Sequence, residues 1–94
     1  MTRVIWTRQA AEDVEAIKAY VARDSERYAS LLAERLVAAV GRLELFPHSG
    51  RVVPEVGDES LREVLYGNYR LVYRLHVESV EVITVYHAAR LLRV

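Results

Sequence analysis

Cysteine is absent from these 94 residues. Neither a disulfide framework nor thiolate chemistry contributes. Lysine is almost missing too: twelve of the thirteen cations are arginine, and Lys18 is the exception. The four glycines are scattered and form no phosphate-cradling loop. No apolar run approaches the length of a membrane span, and the first residues lack the apolar core of a signal peptide. The expectation is a cytoplasmic protein that does not engage a membrane. A surplus of charge is lacking as well. Residues 1–46 carry seven charges of each sign and residues 47–94 carry six of each. Strong non-specific binding of nucleic acid rests on neutralised phosphates and released counterions, so only a focused basic patch would serve here. His48, His76 and His87 lack metal-ligand spacing, and the serines show no nucleophile signature. Neither a metal nor a cofactor is expected.

What is present fits one globular domain, residues 1–94, with 52% apolar residues. A chain this short has a thin core, and a partner can supply part of its stability. Residues 3–7 read as a strand. Thr7 is a helix N-cap, and Glu12 and Asp13 lie near the positive start of the helix that follows. Ala10, Val14, Ile17 and Val21 recur at helical spacing over residues 8–22. Asp24 or Ser25 caps a second helix with the stripe Ala29, Leu32, Leu36, Ala39, Val40 and Leu43, and Pro47 ends it. The short connection makes the pair an antiparallel hairpin. Residues 46–59, which hold both prolines, read as irregular. Three alternating strands follow at roughly 60–66, 69–75 and 79–87, with Gly67-Asn68 as a two-residue hairpin turn. The predicted fold is α+β, in the order β-α-α-β-β-β, with the helical hairpin covering one face of a small, mainly antiparallel sheet.

The polar slots of those strands hold the chemistry. Leu71, Tyr73 and Leu75 alternate with Arg70, Val72 and Arg74. Leu61, Glu63 and Leu65 alternate with Arg62, Val64 and Tyr66. Turning the Leu-rich sets toward the helices leaves Arg62, Tyr66, Arg70 and Arg74 together on the open face. Either parity of the last strand, Val80/Val82/Thr84/Tyr86 or Glu81/Ile83/Val85/His87, can face inward. Planar guanidiniums on neighbouring strands suit bidentate capture of a phosphodiester or of a partner's carboxylates. A solvated face whose arginines pair across strands with Glu63 and Glu81 is the plainer reading. His87 near such a cluster would titrate near neutral pH and act as acid or base, although a lone strand-end histidine is more often structural. Tyr69 and Tyr73 read as packing residues, whereas Tyr66 and Tyr86 are candidates to stack on a base or a partner side chain.

The chain resembles the RelE/ParE toxins of bacterial toxin–antitoxin pairs. The resemblance is carried by Trp6-Thr7 with Ala10, Ala11, Asp13, Ile17 and Tyr20; by Leu43 through Pro47; by Gly50-Arg51-Val52-Val53-Pro54-Glu55; and by Leu61-Arg62-Glu63. It continues through Tyr69-Arg70-Leu71-Val72-Tyr73-Arg74 and Val85-Tyr86-His87-Ala88-Ala89-Arg90-Leu91. It implies a compact, growth-inhibiting toxin that forms a hetero-oligomer with a cognate antitoxin protein. RelE-like members cut mRNA in the ribosome, whereas ParE-like members poison DNA gyrase. Arg70 matches the strand arginine that RelE-like enzymes place beside the scissile phosphate. The paired lysines of RelE are missing, with Arg62 the only cation in that region, and so is its late tyrosine. YoeB-like RNase toxins use a Glu, the same Arg and a late His, which Glu55, Arg70 and His87 match. In a metal-independent RNase of this kind, Glu55 would be the base and His87 the acid, with Arg62 or Arg90 steadying charge. The His87-Ala88-Ala89-Arg90 ending is shared with ParE-like members. Neutral charge tips the expectation toward the ParE-like branch, with the RNase and a degenerate, antitoxin-binding module as the alternatives.

Overall fold

Thr7 makes the first corner of the molecule. Strand β1 (Arg3–Trp6) runs into it, and helix α1 (Arg8–Ala22) leaves it. The Thr7 hydroxyl accepts the Ala10 N–H, which caps α1. The same hydroxyl donates to the Val82 carbonyl at 2.8 Å, which fastens the helix start to the sheet. The sequence puts Glu12 and Asp13 near the positive end of this helix, yet its first turn holds no acid. Asp13 serves the sheet instead. It accepts the Thr84 hydroxyl at 2.6 Å and the Val85 N–H at 3.0 Å, supplying a partner to strand backbone just past the end of β1.

The computed structural model describes residues 1–88. Ser25 caps the second helix, α2 (Glu26–Gly41), by accepting the Tyr28 N–H. A 3-10 turn, Arg42–Glu44, extends it. Four strands follow: β2 (Arg51–Val52), β3 (Leu61–Tyr66), β4 (Tyr69–Leu75) and β5 (Ser79–His87). The sheet order is β1-β5-β4-β3-β2, with β1 parallel to β5 and every other pairing antiparallel. The result is an α+β fold with a helical hairpin on a mainly antiparallel sheet. The helices and the three long strands lie within a few residues of the positions their periodicity predicts. Strand β2, two residues long, lies inside the segment read as irregular.

The main core lies between helices and sheet. Val14, Leu32, Leu36, Val40 and Leu43 meet Leu71, Tyr73, Val80, Val82 and Val85. Leu36 and Leu43 are wholly buried, and burying each side chain contributes about 1.5–3 kcal/mol. The predicted helix stripes face the core, with Ile17 and Val21 on α1 and Ala39 on α2 only half-buried.

The facing of β3 must be corrected. Gly67 has φ +55 and no other residue of that turn is positive, the pattern of a II′ turn. That turn pairs Tyr66 with Tyr69, Val64 with Leu71 and Arg62 with Tyr73. Arg62, Val64 and Tyr66 therefore share the helix face with Leu71 and Tyr73. Leu61, Glu63 and Leu65 turn away, beside Arg70, Val72 and Arg74.

The far face is not open either. Val53 is completely buried there against Leu61 and Val72, with Ile83 and Tyr86 packed alongside. The segment after β2 thus covers the middle of this face. On β5, the register passes from Val72–Thr84 to Tyr73–Val82, leaving Ile83 as an extra residue. This bulge resolves the two parities: Val80 and Val82 face the helices before it, and Val85 does so after it.

Candidate functional site

Strand β4 carries Arg70 onto the far face, and two carboxylates close around it. Arg70 Nε donates to Glu63 Oε1 at 2.6 Å. Its Nη1 and Nη2 donate to the two oxygens of Glu55 at 2.6 and 2.7 Å. Glu63 Oε2 accepts from Arg51 Nε, also at 2.6 Å. The Arg70 side chain is 8% exposed and that of Glu63 0%. Two carboxylates against two guanidiniums leave the network neutral. Such a buried pair is tolerable only when the remaining lone pairs and protons are satisfied. The Glu55 bonds raise the Arg70 pKa above its ordinary value; burial opposes this, and Glu63 adds to it.

Tyr86 lies opposite Arg70 in the ladder, with the guanidinium carbon 5.2 Å from its ring centroid. Burial raises the tyrosine's pKa, and the Arg70 charge works against that rise. Its hydroxyl is buried with no hydrogen-bond partner among the described residues. Aromatic face, guanidinium and carboxylates make one packed unit.

The other site candidates fall elsewhere. Arg74 shares the far face, where it donates to Ser60 Oγ at 3.2 Å and stands 3.8 Å from Asp58. Four residues along a strand separate it from Arg70 by about 13 Å, so one small anion cannot meet both. Arg62 lies on the helix face and caps carbonyls: Glu59 at 3.0 Å, His48 at 3.3 Å and Gly50 at 3.1 Å. Tyr66, on the helix face too, accepts a bond from Arg35 at 3.3 Å. The expected cluster of Arg62, Tyr66, Arg70 and Arg74 is thus split between the faces. The cause is the hairpin register. His87 pairs with Tyr69 in the ladder, and their rings meet edge to face at 5.6 Å. Alternation along β5 puts it on the opposite side from Tyr86. Of the trio Glu55, Arg70 and His87, the first two meet and the third points away. Arg90 lies outside the described residues.

The sequence reading gives Arg51 no site role and names Glu63 only as a cross-strand partner on a solvated face; the structure buries it against Arg70. Glu63 looked like one more solvated strand acid. The signal was available: the two-residue turn puts Glu63 diagonally opposite Arg70 on one face, a pairing within reach of long side chains. As arranged, Arg70 has no vacant bidentate edge. A phosphodiester would have to displace Glu55, whose side chain is 28% exposed.

The order of strands, the hairpin on one face and the buried strand arginine can be set beside known proteins. The family model described as the ParE toxin of a type II toxin–antitoxin system, parDE, matches residues 4–92. Toxin RelE2 of Caulobacter vibrioides is 34% identical over 92 residues, covering 97% of this chain and 100% of that one. The chain belongs to the RelE/ParE superfamily of toxins.

Solved folds agree. A chain of the chromosomal ParDE toxin–antitoxin system from P. aeruginosa superposes with TM-score 0.75 at 21% identity, over 93% of this toxin and 96% of that chain. A chain of the RelBE2 toxin–antitoxin complex from Mycobacterium tuberculosis gives 0.56 at 20% identity, over 92% and 96%. The sequence matches carry the type II toxin assignment; at these identities the structures speak to the fold. ParE-like and RelE-like names occur among both kinds of match, so they do not separate the two branches.

Proposed function

We propose that this toxin inhibits growth by the ParE-like route, acting on DNA gyrase without cutting RNA, and that a small antitoxin encoded beside it neutralises it. The observation that carries the branch is the closed network around Arg70. An RNase of the kind the sequence resembles needs an arginine free to hold the scissile phosphate and a histidine beside it as acid. Here Glu55 and Glu63 occupy the guanidinium, and His87 faces the other side of the sheet. Balanced charge argues in the same direction, since a grip on ribosomal RNA favours a basic protein. Exposed apolar side chains, among them Leu45 at 65% and Phe46 at 61%, support the need for a protein partner.

The test is to induce the chain alone in bacteria, then assay the purified protein twice. The expected result is arrested growth, rescue by the adjacent antitoxin, reduced gyrase supercoiling and intact mRNA on translating ribosomes. One feature favours the RNase reading: Glu55 and Arg70 are in direct contact, as that trio requires. Codon-dependent cleavage on ribosomes, lost in Arg70→Lys and His87→Ala proteins that remain folded, would establish that route in place of gyrase.

A further inference from the structure

Away from the far face, tyrosine and arginine gather along the flank of α2 that borders β3. Tyr28, Leu31, Arg35 and Ala38 recur at helical spacing, and Arg42 carries the row into the 3-10 turn. Arg35 Nη1 donates to the Tyr66 hydroxyl at 3.3 Å, which sets this flank against β3. That bond raises the Arg35 pKa, and the Tyr28 phenol adds to the rise. Tyr66 pairs with Tyr69 in the ladder. Burial raises the Tyr69 pKa, with Tyr28 and Tyr20 pushing the same way. Tyr28, Tyr66 and Tyr69 thus meet at one end of the row. Tyr28 is the most open of the three, at 55% exposure.

The other end is cationic. There the groove between α2 and β3 opens into a depression of about 320 Å³, with Ala39 and Val64 along its floor and Arg42 and Arg51 in its wall. The acid in this lining is Glu63, and both its oxygens are bonded to arginines. Arg51 belongs to that neutral network, so the net charge of the stripe comes from Arg35 and Arg42. Neither forms an ion pair among the described residues. An ordinary solvated helix face sets acids three or four residues from its arginines. Here those positions hold Leu31, Leu32, Ala38 and Ala39 around Arg35, and Ala38, Ala39, Leu45 and Phe46 around Arg42. Seven residues of helix put the two arginines about 10 Å apart, and Tyr28 stands about 10 Å beyond Arg35.

We propose that this stripe holds a short single strand of DNA, with phosphodiesters on Arg35 and Arg42 and bases stacked on Tyr28 and Tyr66, a step that rests on the gyrase reading above for the source of the strand. A guanidinium takes two phosphate oxygens at once. Every base has an aromatic face, so stacking on tyrosine holds a strand of any sequence. An open groove suits a chain that passes through it. A paired duplex keeps its bases stacked on one another and offers Tyr28 nothing. In a chain with no surplus of charge, two unpaired arginines supply the attraction, so the hold is weak and sensitive to salt. The toxin then touches the DNA on which gyrase acts as well as the enzyme.

The experiment follows fluorescence anisotropy as the purified full chain binds a labelled DNA strand of about eight bases, beside the duplex and the RNA of the same sequence. The expected Kd for the strand is of order 10⁻⁵ M at low salt, with the duplex at least about fivefold weaker. Two phosphate contacts give a slope of about −1.4 for log affinity against log salt, and Arg35→Gln or Arg42→Gln halves it to about −0.7. Tyr28→Leu weakens binding about fivefold or more, whereas Tyr28→Phe keeps the ring and binds as wild type. All four substitutions are at exposed positions, and thermal melts confirm that each variant is folded. No binding at about 10⁻⁴ M, well beyond the expected Kd, overturns the proposal. So does a duplex bound as tightly as the strand, a salt slope unchanged in both arginine variants, or RNA bound at least about tenfold tighter than DNA. Any of these leaves the gyrase reading to the supercoiling assay. Strand binding by a chain that leaves supercoiling untouched removes the gyrase reading and keeps the site.

Discussion

The two faces of this sheet are held in different ways. On the helix face, a broad layer of Leu and Val lies under the helical hairpin, and shape and area carry the stability. On the far face, the apolar cluster is small, and charge is buried with it: Val53, Leu61 and Val72 sit beside Glu63 and Arg70. The first face tolerates loss in proportion to the atoms removed. The second depends on complete pairing, because one missing partner strands a charge. In a domain this small, the far face holds both the polar residues of interest and much of the fold's vulnerability.

The comparison breaks most severely at Arg70. Arg70→Ala leaves Glu63 buried with Arg51 as its cation partner among the described residues and removes the bidentate bond that fastens Glu55 of the cover segment to the sheet. The expected loss is about 3–5 kcal/mol, a large share of the stability of any small domain. Urea unfolding measures it. A loss below about 1 kcal/mol would mark Arg70 as an ordinary surface arginine and revive the phosphate-holding role. Because the network kills fold and activity together, a toxicity assay on Arg70→Ala alone cannot speak about catalysis; Arg70→Lys, which keeps the charge but loses the bidentate fork, should be the partner variant.

Leu36→Ala is the matching cut on the helix face. Leu36 is wholly buried among neighbours that partly close around a void, and about 3 kcal/mol is expected. Its loss should be the same at low and high salt. Salt dependence in the Leu36→Ala loss would mean that the two faces are coupled and that the contrast between them is false.

Which parts of this were legible follows from the same contrast. The helices and the main core could be read because one face of each helix is apolar and the other polar: Val14, Leu32, Leu36 and Val40 stand out at helical spacing. The far face could not be read that way. Because it too is covered, both parities of β3 contain apolar residues, and Leu61 and Leu65 looked as core-like as Val64. The alternation was ambiguous, but the register was not. A two-residue turn at Gly67-Asn68 forces Val64 opposite Leu71, which settles the facing of Arg62, Glu63 and Tyr66 before any side chain is weighed. On β5, a single inserted residue, Ile83, reverses the parity, and nothing in its identity announces a bulge. The pairing of the strand arginines with Glu63 is among the sequence readings, but the register is needed to single out Arg70 and to bury the pair. The closing of Glu55 over Arg70 needed the path of the segment after β2, which no periodicity encodes.

A smaller effect of opposite sign is expected at Tyr86. Its hydroxyl is buried without a partner among the described residues, a cost of order 1 kcal/mol or more when such a group is held away from water. Tyr86→Phe keeps the ring that stacks on Arg70 and removes that hydroxyl. It should leave stability unchanged or raise it by up to about 1 kcal/mol. Clear destabilisation in urea would show that the hydroxyl has a partner in solution, such as a bridging water. The far face would then be wetter than its packing indicates.

The smallest effect belongs to the cover segment itself. Asp58 accepts the Ser60 hydroxyl at 2.7 Å and the Ser60 N–H at 2.8 Å, and those bonds lower its pKa, with Arg74 adding a weaker pull in the same direction. A carboxyl whose folded pKa lies below its unfolded value stabilises the fold above the unfolded pKa, about 3.9. That contribution is lost as pH falls through the lowered folded value. Asp58→Asn removes the charge while keeping an acceptor. At neutral pH the variant should melt slightly below wild type. As pH falls below about 3.9 the two melting curves should converge, because wild-type Asp58 then takes up its proton. A gap that persists unchanged into acid would assign the effect to hydrogen-bond geometry in the turn. A gap larger than that for Leu36→Ala would mean that the short turn at Asp58–Ser60 holds the cover over Arg70, and that the far face opens from this end.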